Sequence, residues 1–480
     1  MLFSGSLAGW FFLHLWFLSA DPGLHIGPSR DAWTDEGLYT AQIRNYIHHN
    51  KLSVDENPTF FKAPFFNLLL APFFYLFGTT LETARLVVLC FITFGILYLA
   101  RKTQDRIFFV IAIYTVFCHT FLFTYAHLAM AEMVGIMFIV SGIHFLASWP
   151  VSDSLMGRMR VMLGVQLLMG LAFLSKAMYG YMLVFVPAVL LIWAILRMFR
   201  NLPGPRKLLS YVFISVMAVA LFVVLYWICW VIPNNSLALK IWEYEGISRF
   251  AAARDMPGTI KFWILNIYLD PLHAFHTWMF LGMGAIFLVL MAMKKVRPGW
   301  TGFLWWMWFL FELYKLLLTD QPPRYQLSLL ASMGFLVAYM IRCIQLSGNR
   351  WAKLSCIILV SLFAGKFAGD IRWMVSNRSY TIREANTYLG SITGPGDTVM
   401  GVWAGSAGWQ TSAYILPVWS GYVNDKDILG RFHPDVIISE PGQEDSGGAF
   451  HADGITLDSN AAKKMRVGYW DLHFYQIPEK

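Results

Sequence analysis

The residue types able to do acid–base chemistry gather in a few short stretches. Asp35 and Glu36 stand together in AspAlaTrpThrAspGluGlyLeuTyrThrAlaGlnIleArgAsn, from Asp31 to Asn45, with Tyr39 three residues after Glu36. PhePheLysAlaProPhePhe follows from Phe60 to Phe66. A carboxylate near a membrane boundary loses hydration, its pKa rises, and it can take a proton from a hydroxyl. Lys62 precedes an apolar run, Lys176 ends GlyLeuAlaPheLeuSerLys, and Arg324 lies in ProArgTyr at 323–325, ahead of another run. Cations at helix ends lie at headgroup level, where they can hold a phosphate. Glu132 opens a further apolar run, where an unpaired carboxylate is costly. Each residue also has a plainer reading. Asp35, with Thr34, could cap a helix from Gly37 to His49. Tyr39 could be an interfacial anchor and the three cations could snorkel. Glu132 could be exposed at the interface, and Glu245 and Arg249, in GluGlyIleSerArgPhe, could decorate a surface helix. His48, His49, His273 and His276 read as interfacial residues rather than metal ligands.

The elements that must position these residues are set by composition. The 480 residues are 57% hydrophobic and 14% charged, with mean hydropathy +0.52. That balance excludes an ordinary soluble domain. Apolar runs of membrane-crossing length are expected at about 3–20, 83–100, 107–125, 130–148, 159–175, 178–196, 208–232, 272–293, 300–318, 324–341 and 354–370. The first has no signal-peptide pattern and is expected to be retained. Pro64 to Phe77 is too short to count with them and reads as a juxtamembrane or re-entrant helix. With eleven spans, five basic clusters fall on one side: Arg101, Lys102 and Arg106; Arg158 and Arg160; Arg197, Arg200, Arg206 and Lys207; Lys294, Lys295 and Arg297; Arg342, Arg350 and Lys353. A twelfth span would put them outside, against the positive-inside rule.

The net charge of +8 therefore points to membrane orientation and not to nucleic acid, since the tail from Ile371 holds 9 Lys and Arg against 12 Asp and Glu. The expected organisation is a membrane domain at 1–370, with outer loops at 21–82 and 233–270, and a small outer α/β domain at 371–480. Strand-like runs at 397–403 and 435–438 support the α/β reading, and Glu440 to Gly454 reads as a mobile loop without EF-hand spacing. Cys90, Cys118, Cys229, Cys343 and Cys356 all lie in or beside apolar runs, as core residues do.

The acidic pair, the Tyr after it, an Arg further on and the Lys-x-Pro before an apolar helix resemble the lipid-phosphate-sugar glycosyltransferases of GT-C type. That family includes the dolichyl-phosphate-mannose protein mannosyltransferases and the aminoarabinose transferase of lipid A. GluGlyIleSerArgPhe, the span ending at Lys176 and ProArgTyr are similar to later features of the family, in matching order across most of the first 370 residues. The departures are Ala63 in place of the first Pro of a frequent Lys-Pro-Pro, Leu38 where the aminoarabinose transferase has an Arg, and Gly246 where it has an outer-loop His. A divalent metal is therefore left unassigned.

The resemblance implies an inverting glycosyltransferase that moves a sugar from a polyprenyl-phosphate donor to a hydroxyl of a protein or glycolipid at the outer membrane face. Such a transfer needs a base for the acceptor and cations for the leaving phosphate. It implies Asp35 as base, Glu36 and Tyr39 orienting base or sugar, and Lys62, Lys176, Arg324 and Tyr325 around the donor. Glu132 corresponds to the family's second acidic position, and Arg249 to a charge of its outer loop. The expected location is multi-pass in a prokaryotic plasma membrane. A cell-envelope polysaccharide ligase or polymerase would use similar donors and stays open. A transporter would want ionisable groups at mid-membrane, and a scaffold would need no acidic pair. No Walker A, GxGxxG, HExxH or nucleophile elbow is present, so no nucleotide site is implied.

Overall fold

The computed structural model describes residues 2–23, 30–103, 105–148, 154–202, 204–243, 256–270, 273–293, 295–296, 299–317, 322–346, 350–421, 423–441, 444–458, 460 and 462–477. The helices that carry the argument are α1 (Leu2–Leu15), α2 (Asp31–His49), α3 (Pro58–Lys62), α4 (Pro64–Phe77), α5 (Leu81–Thr103), α6 (Arg106–Ala112), α7 (Thr120–His127), α8 (Ala131–Ser148) and α9 (Leu155–Ser175). They continue with α10 (Tyr181–Phe199), α11 (Pro205–Tyr226), α12 (Ala274–Ala292), α13 (Trp300–Glu312), α14 (Leu327–Leu346), α15 (Arg350–Ser376), α16 (Thr381–Ile392) and α17 (Glu444–Ala452).

Among the described residues, eight helices are long and apolar enough to cross a membrane, or nine if the bent pair α6–α7 is one span. The protein is thus a polytopic α-helical membrane protein. Two of the eleven expected spans take shorter forms. The run at 3–20 is the 14-residue α1, and the run at 300–318 is the 13-residue α13 continued by a 3₁₀ turn at Leu313–Leu317. Pro64–Phe77 is a 14-residue apolar helix, as its length suggested. The α6–α7 pair bends by 93°, because a π-turn at Ile113–Phe117 runs into extended backbone at His119, whose Nδ1 accepts from the Phe121 amide.

The tail forms a five-stranded sheet of order β2-β1-β3-β5-β4, with β1 Thr398–Met400, β2 Tyr414–Leu416, β3 Val436–Ser439, β4 Lys463–Val467 and β5 Trp470–Gln476. β1 lies parallel to β2 and β3, whereas β5 runs antiparallel to β3 and β4. The expected strands at 397–403 and 435–438 thus form the centre of the sheet. The expected mobile loop at 440–454 is corrected: α17 occupies most of it, and Phe450 is buried in the second apolar core, under β1 and β3. The membrane helix α15 runs on to Ser376 without a break, beyond residue 371.

The tail is fastened to α2. The Asn45 amide side chain copies a strand partner, donating to the Ile415 carbonyl at 2.8 Å and accepting from the Ile415 amide at 3.0 Å. Arg44 donates to the carbonyls of Thr411 and Ala413, and Ser406 Oγ donates to the Trp33 carbonyl at 2.6 Å. Asp21, just after α1, accepts from the Thr381 and Ile382 amides at 2.8 and 3.0 Å and so anchors the start of α16. At the crossing itself two glycines meet. A Cβ on Gly405 would lie 2.5 Å from the Gly37 carbonyl carbon, and one on Gly37 would lie 2.1 Å from the Gly405 carbonyl carbon.

Gly405→Ala is expected to cost about 1–3 kcal/mol through this overpacking and to loosen the tail from α2. Limited proteolysis in detergent should then release the tail faster than in wild type; an unchanged rate would show that the crossing tolerates a methyl.

Candidate active site

The site is built where α2 meets the ends of three spans. α2 begins at Asp31 and not at Gly37, and Arg30 at its N-cap makes no side-chain cap bond. The competing reading of Asp35 as a helix cap is therefore not what forms. Because the helix starts early, Asp31 and Asp35 are one turn apart on one face. Both point at Arg324, which a short 3₁₀ turn at Pro323–Gln326 presents ahead of α14. The Arg324 Nη1 lies 3.1 Å from Asp31 Oδ2, Nη2 lies 2.5 Å from Asp35 Oδ2, and Nε lies 3.1 Å from Glu132 Oε1. Glu132, fully buried at the start of α8, also takes the Lys176 ammonium at 2.9 Å. Lys176 breaks the helix after α9 in extended backbone, which swings its side chain into the site.

Three carboxylates thus surround one guanidinium and one ammonium. Aromatic rings flank the cations: Lys176 Nζ is 4.2 Å from the Tyr39 ring centre and 5.5 Å from that of Tyr325, and the Arg324 guanidinium is 5.2 Å from the Tyr325 ring. Lys62 ends α3, before Ala63 breaks the helix and Pro64 starts α4, and its charge acts on Asp35. Burial pushes the Asp35 carboxyl above the usual carboxylate range. Arg324 opposes that rise, Asp31 reinforces it, and Lys176 and Lys62 oppose it more weakly. Glu132 Oε1 and Oε2, with Arg324 Nε and Nη1, lack an aligned hydrogen-bond partner among the described residues. Such groups are ready to accept a ligand's polar atoms.

The structure therefore brings together Asp35, Tyr39, Lys62, Glu132, Lys176, Arg324 and Tyr325. It sets Glu36, expected to orient the base or the sugar, apart from this cluster. One residue along a helix turns a side chain by about 100°, and Glu36 is clamped instead by Arg85 of α5, at 2.8 Å from Nε and 2.5 Å from Nη2, and by the Ala129 amide at 2.6 Å. Arg85 spends its remaining donors on the carbonyls of Phe17, Leu18 and Ala20. Arg249 and Glu245 lie outside the described residues. Among the described residues no three His, Cys, Asp or Glu side chains are grouped so as to hold a metal ion.

Several contributors escaped the sequence reading. Asp31 is one, and the i, i+4 spacing to Asp35 would have shown it had the helix start been placed correctly. Tyr125 of α7 feels the charges of Asp31, Asp35, Glu132 and Arg324. Behind the site a buried layer sets the turn that carries Arg324. Lys315 Nζ is 2.9 Å from Glu312 Oε2, Ser328 Oγ donates to the same oxygen at 2.8 Å, and Gln326 Nε2 donates to the Lys315 carbonyl at 3.1 Å.

A helical membrane bundle with a charged site at the ends of its spans, capped by a small mixed sheet, is the GT-C fold of membrane glycosyltransferases. The particular structures it matches include ArnT from Cupriavidus metallidurans bound to undecaprenyl phosphate, with a TM-score of 0.64 at 14% identity over 98% of this chain and 97% of that one. The apo state of the same protein matches with a TM-score of 0.61 at 14% identity, over 98% of each chain. The archaeal oligosaccharyltransferase AglB from Archaeoglobus fulgidus, in complex with an inhibitory peptide and a dolichol-phosphate, matches with a TM-score of 0.51 at 13% identity, over 91% of this chain and 69% of that one. At these identities the likeness is one of fold. No protein-family model and no curated protein matches the sequence.

The Glu36–Arg85 pair is expected to be structural. Arg85→Met, which strands a buried carboxylate, should cost about 3–5 kcal/mol, and adding Glu36→Gln should restore part of the thermal stability measured in detergent. A Glu36→Gln protein of unchanged Tm and abolished activity would instead assign Glu36 to the chemistry.

Proposed function

We propose that the protein is an inverting glycosyltransferase that moves a sugar from a polyprenyl-phosphate donor to a hydroxyl of a protein or glycolipid. The observation that carries this reading is the buried Asp35 held beside Arg324, with Lys176 joined to the same cluster through Glu132. In this reading Asp35 is the base. The acceptor oxygen attacks the anomeric carbon from the face opposite the phosphate, its proton passes to Asp35, and the carbon–oxygen bond to phosphate breaks with its electron pair leaving on the phosphate. Arg324, Lys176 and Lys62 balance that negative charge, in a setting where exclusion of water strengthens each contact. Tyr39 and Tyr325 hold the cations in place and offer flat faces to the sugar. Glu132 sets Lys176 and Arg324 at a fixed separation.

The placement of charge along the spans supports a site on the non-cytoplasmic face. Glu132 begins α8, Lys176 follows α9 and Arg324 precedes α14, while Arg158 and Arg160 lie at the opposite end of α9 and Arg342 at the opposite end of α14. The tail at 371–480 then forms an outer cap over the membrane part at 1–370, in a prokaryotic plasma membrane. Undecaprenyl phosphate and dolichol-phosphate, bound by the matched structures, are the donor carriers this reading favours. The bilayer and the acceptor are its other partners, and no nucleic acid is among them.

The test is donor consumption by purified protein offered a panel of polyprenyl-phosphate sugars with membrane extract as acceptor. Wild type should consume one donor, and Asp35→Asn should lower kcat at least about 10²-fold. If the panel is untouched by wild type, the reading fails. The pH profile gives a second check. The base must be ionised, and its pKa is raised, so activity should be full at high pH and fall, as pH drops, above the usual carboxylate range. An acid limb at the ordinary Asp pKa, or one retained in Asp35→Asn, would point to another base.

A further inference from the structure

The buried layer behind the site has a hub, and its ties reach the segments of both cations. Glu312 closes α13 and Lys315 lies in the 3₁₀ turn that follows; both side chains are wholly buried. Each Glu312 carboxylate oxygen meets two donors. Oε1 accepts from the Tyr181 hydroxyl of α10 and from Trp308 Nε1 at 2.8 Å. Oε2 accepts from Ser328 Oγ of α14 at 2.8 Å and meets Lys315 Nζ at 2.9 Å. Lys315 Nζ also donates to Ser328 Oγ, and the ring centres of Tyr179, Tyr181 and Tyr314 lie 5.1 to 6.0 Å from it. A carboxylate offers about four acceptor positions, so Glu312 has none left for a substrate. Its influence on the chemistry must pass through other residues.

The residues that it ties stand just behind Lys176 and Arg324. Tyr181 follows Lys176 by five residues, across the 3₁₀ turn at Ala177–Tyr179, and Ser328 follows Arg324 by four. Tyr179, in the first of these turns, donates to the Glu132 carbonyl at 3.2 Å. Gln326, in the turn of Arg324, donates to the Lys315 carbonyl at 3.1 Å and accepts from the Tyr268 hydroxyl at 3.0 Å. In front, both cations converge on Glu132 Oε1, at 2.9 Å from Lys176 and 3.1 Å from Arg324.

A phosphate that draws these cations competes with Glu132 for them, so a spacing held by Glu132 alone would relax as the donor binds. The ties at Glu312 use none of the groups that would meet the phosphate, and they persist through binding. Apolar residues of similar volume often replace a buried ion pair at no loss of stability, and what such a pair adds is register. We propose that Glu312 is a positioning residue that fixes the separation of Lys176 and Arg324, and with it the grip on the donor's phosphate. The inference rests on the polyprenyl-phosphate reading above.

The ratio of affinities for undecaprenyl phosphate and undecaprenol isolates the phosphate from the chain. Native mass spectrometry on the full-length protein in detergent gives that ratio with no sugar transferred, and Tm is read alongside. Wild type should prefer the phosphate about tenfold or more. Tyr181→Phe and Ser328→Ala each cut one tie and remove no charge, and each should lower the preference about threefold or more. Glu312→Leu with Lys315→Met strands no buried charge and should lower it at least as far. Glu312→Gln with Lys315→Met should recover most of it, since the amide can still accept from Tyr181 and donate to Ser328. Ser215→Ala removes a bond of the same kind, from Gln166 Nε2 at 2.6 Å between α9 and α11, and should leave the preference within about twofold. Equal weakening of both ligands by the tie variants, a preference kept by Glu312→Leu with Lys315→Met, or one that Ser215→Ala lowers as much would each overturn the proposal and leave the phosphate reading standing. A wild type that binds undecaprenol as tightly as undecaprenyl phosphate would overturn that reading, and this inference with it.

Discussion

Everything in the structure turns on a polar helix that is buried on nearly every side. α2 carries Asp31, Thr34, Asp35, Glu36, Gln42, Arg44 and Asn45, and all but Asp31 of these are buried. A polar side chain taken out of water must find a partner or impose a penalty of several kcal/mol. α2 meets that requirement by pairing with the rest of the molecule: Glu36 with Arg85 of the bundle, Arg44 and Asn45 with the tail, Gln42 with the Ser53 carbonyl and the Phe60 amide. The helix is thereby fixed in rotation and height, and the face bearing Asp31 and Asp35 is aimed at Arg324. That leftover face is the site.

The charge balance at this face follows from the same constraint. Arg324 serves three carboxylates and Lys176 shares one of them, so the cluster is paired within itself, while among the described residues the Glu132 oxygens and Arg324 Nε and Nη1 have no aligned hydrogen-bond partner. Cations bound to carboxylates in low dielectric keep their charge and their position. In the proposed reaction a phosphate arriving among them would meet donors already in place, which would remove most of the reorganisation that water has to undergo.

Elsewhere in the bundle, polar groups among the spans are paired in ways that have no evident tie to the chemistry. Asp370 takes Lys366 from its own helix and Thr120 from the broken α6–α7 pair, and His14 meets His127 across the bundle at 2.9 Å. These contacts hold the bend of α6–α7 against α1 and α15, which places Tyr125 within reach of the site's charges. In an apolar surround, such pairs specify which helices meet more sharply than apolar contact does.

Apolar run length is a local property, so the sequence by itself determined the membrane class and the approximate apolar runs that become its helices. Turn and strand signals showed the small α/β tail, and the motif around Asp35, together with Lys62, Glu132, Lys176, Arg324 and Tyr325, named most of the residues that the fold gathers into the charged cluster. What only the tertiary structure decided was pairing between residues distant in the chain. Glu36 and Arg85 are 49 residues apart, and neither type nor spacing says that the carboxylate next to Asp35 pairs with an arginine of another helix. Asp31 stayed hidden because the helix start was placed six residues late, at Gly37, and α17 stayed hidden because a Gly-rich segment has little helical propensity until Phe450 finds a core. Propensity and hydropathy act along the chain, whereas a buried charge is placed by whichever partner the folded chain brings to it.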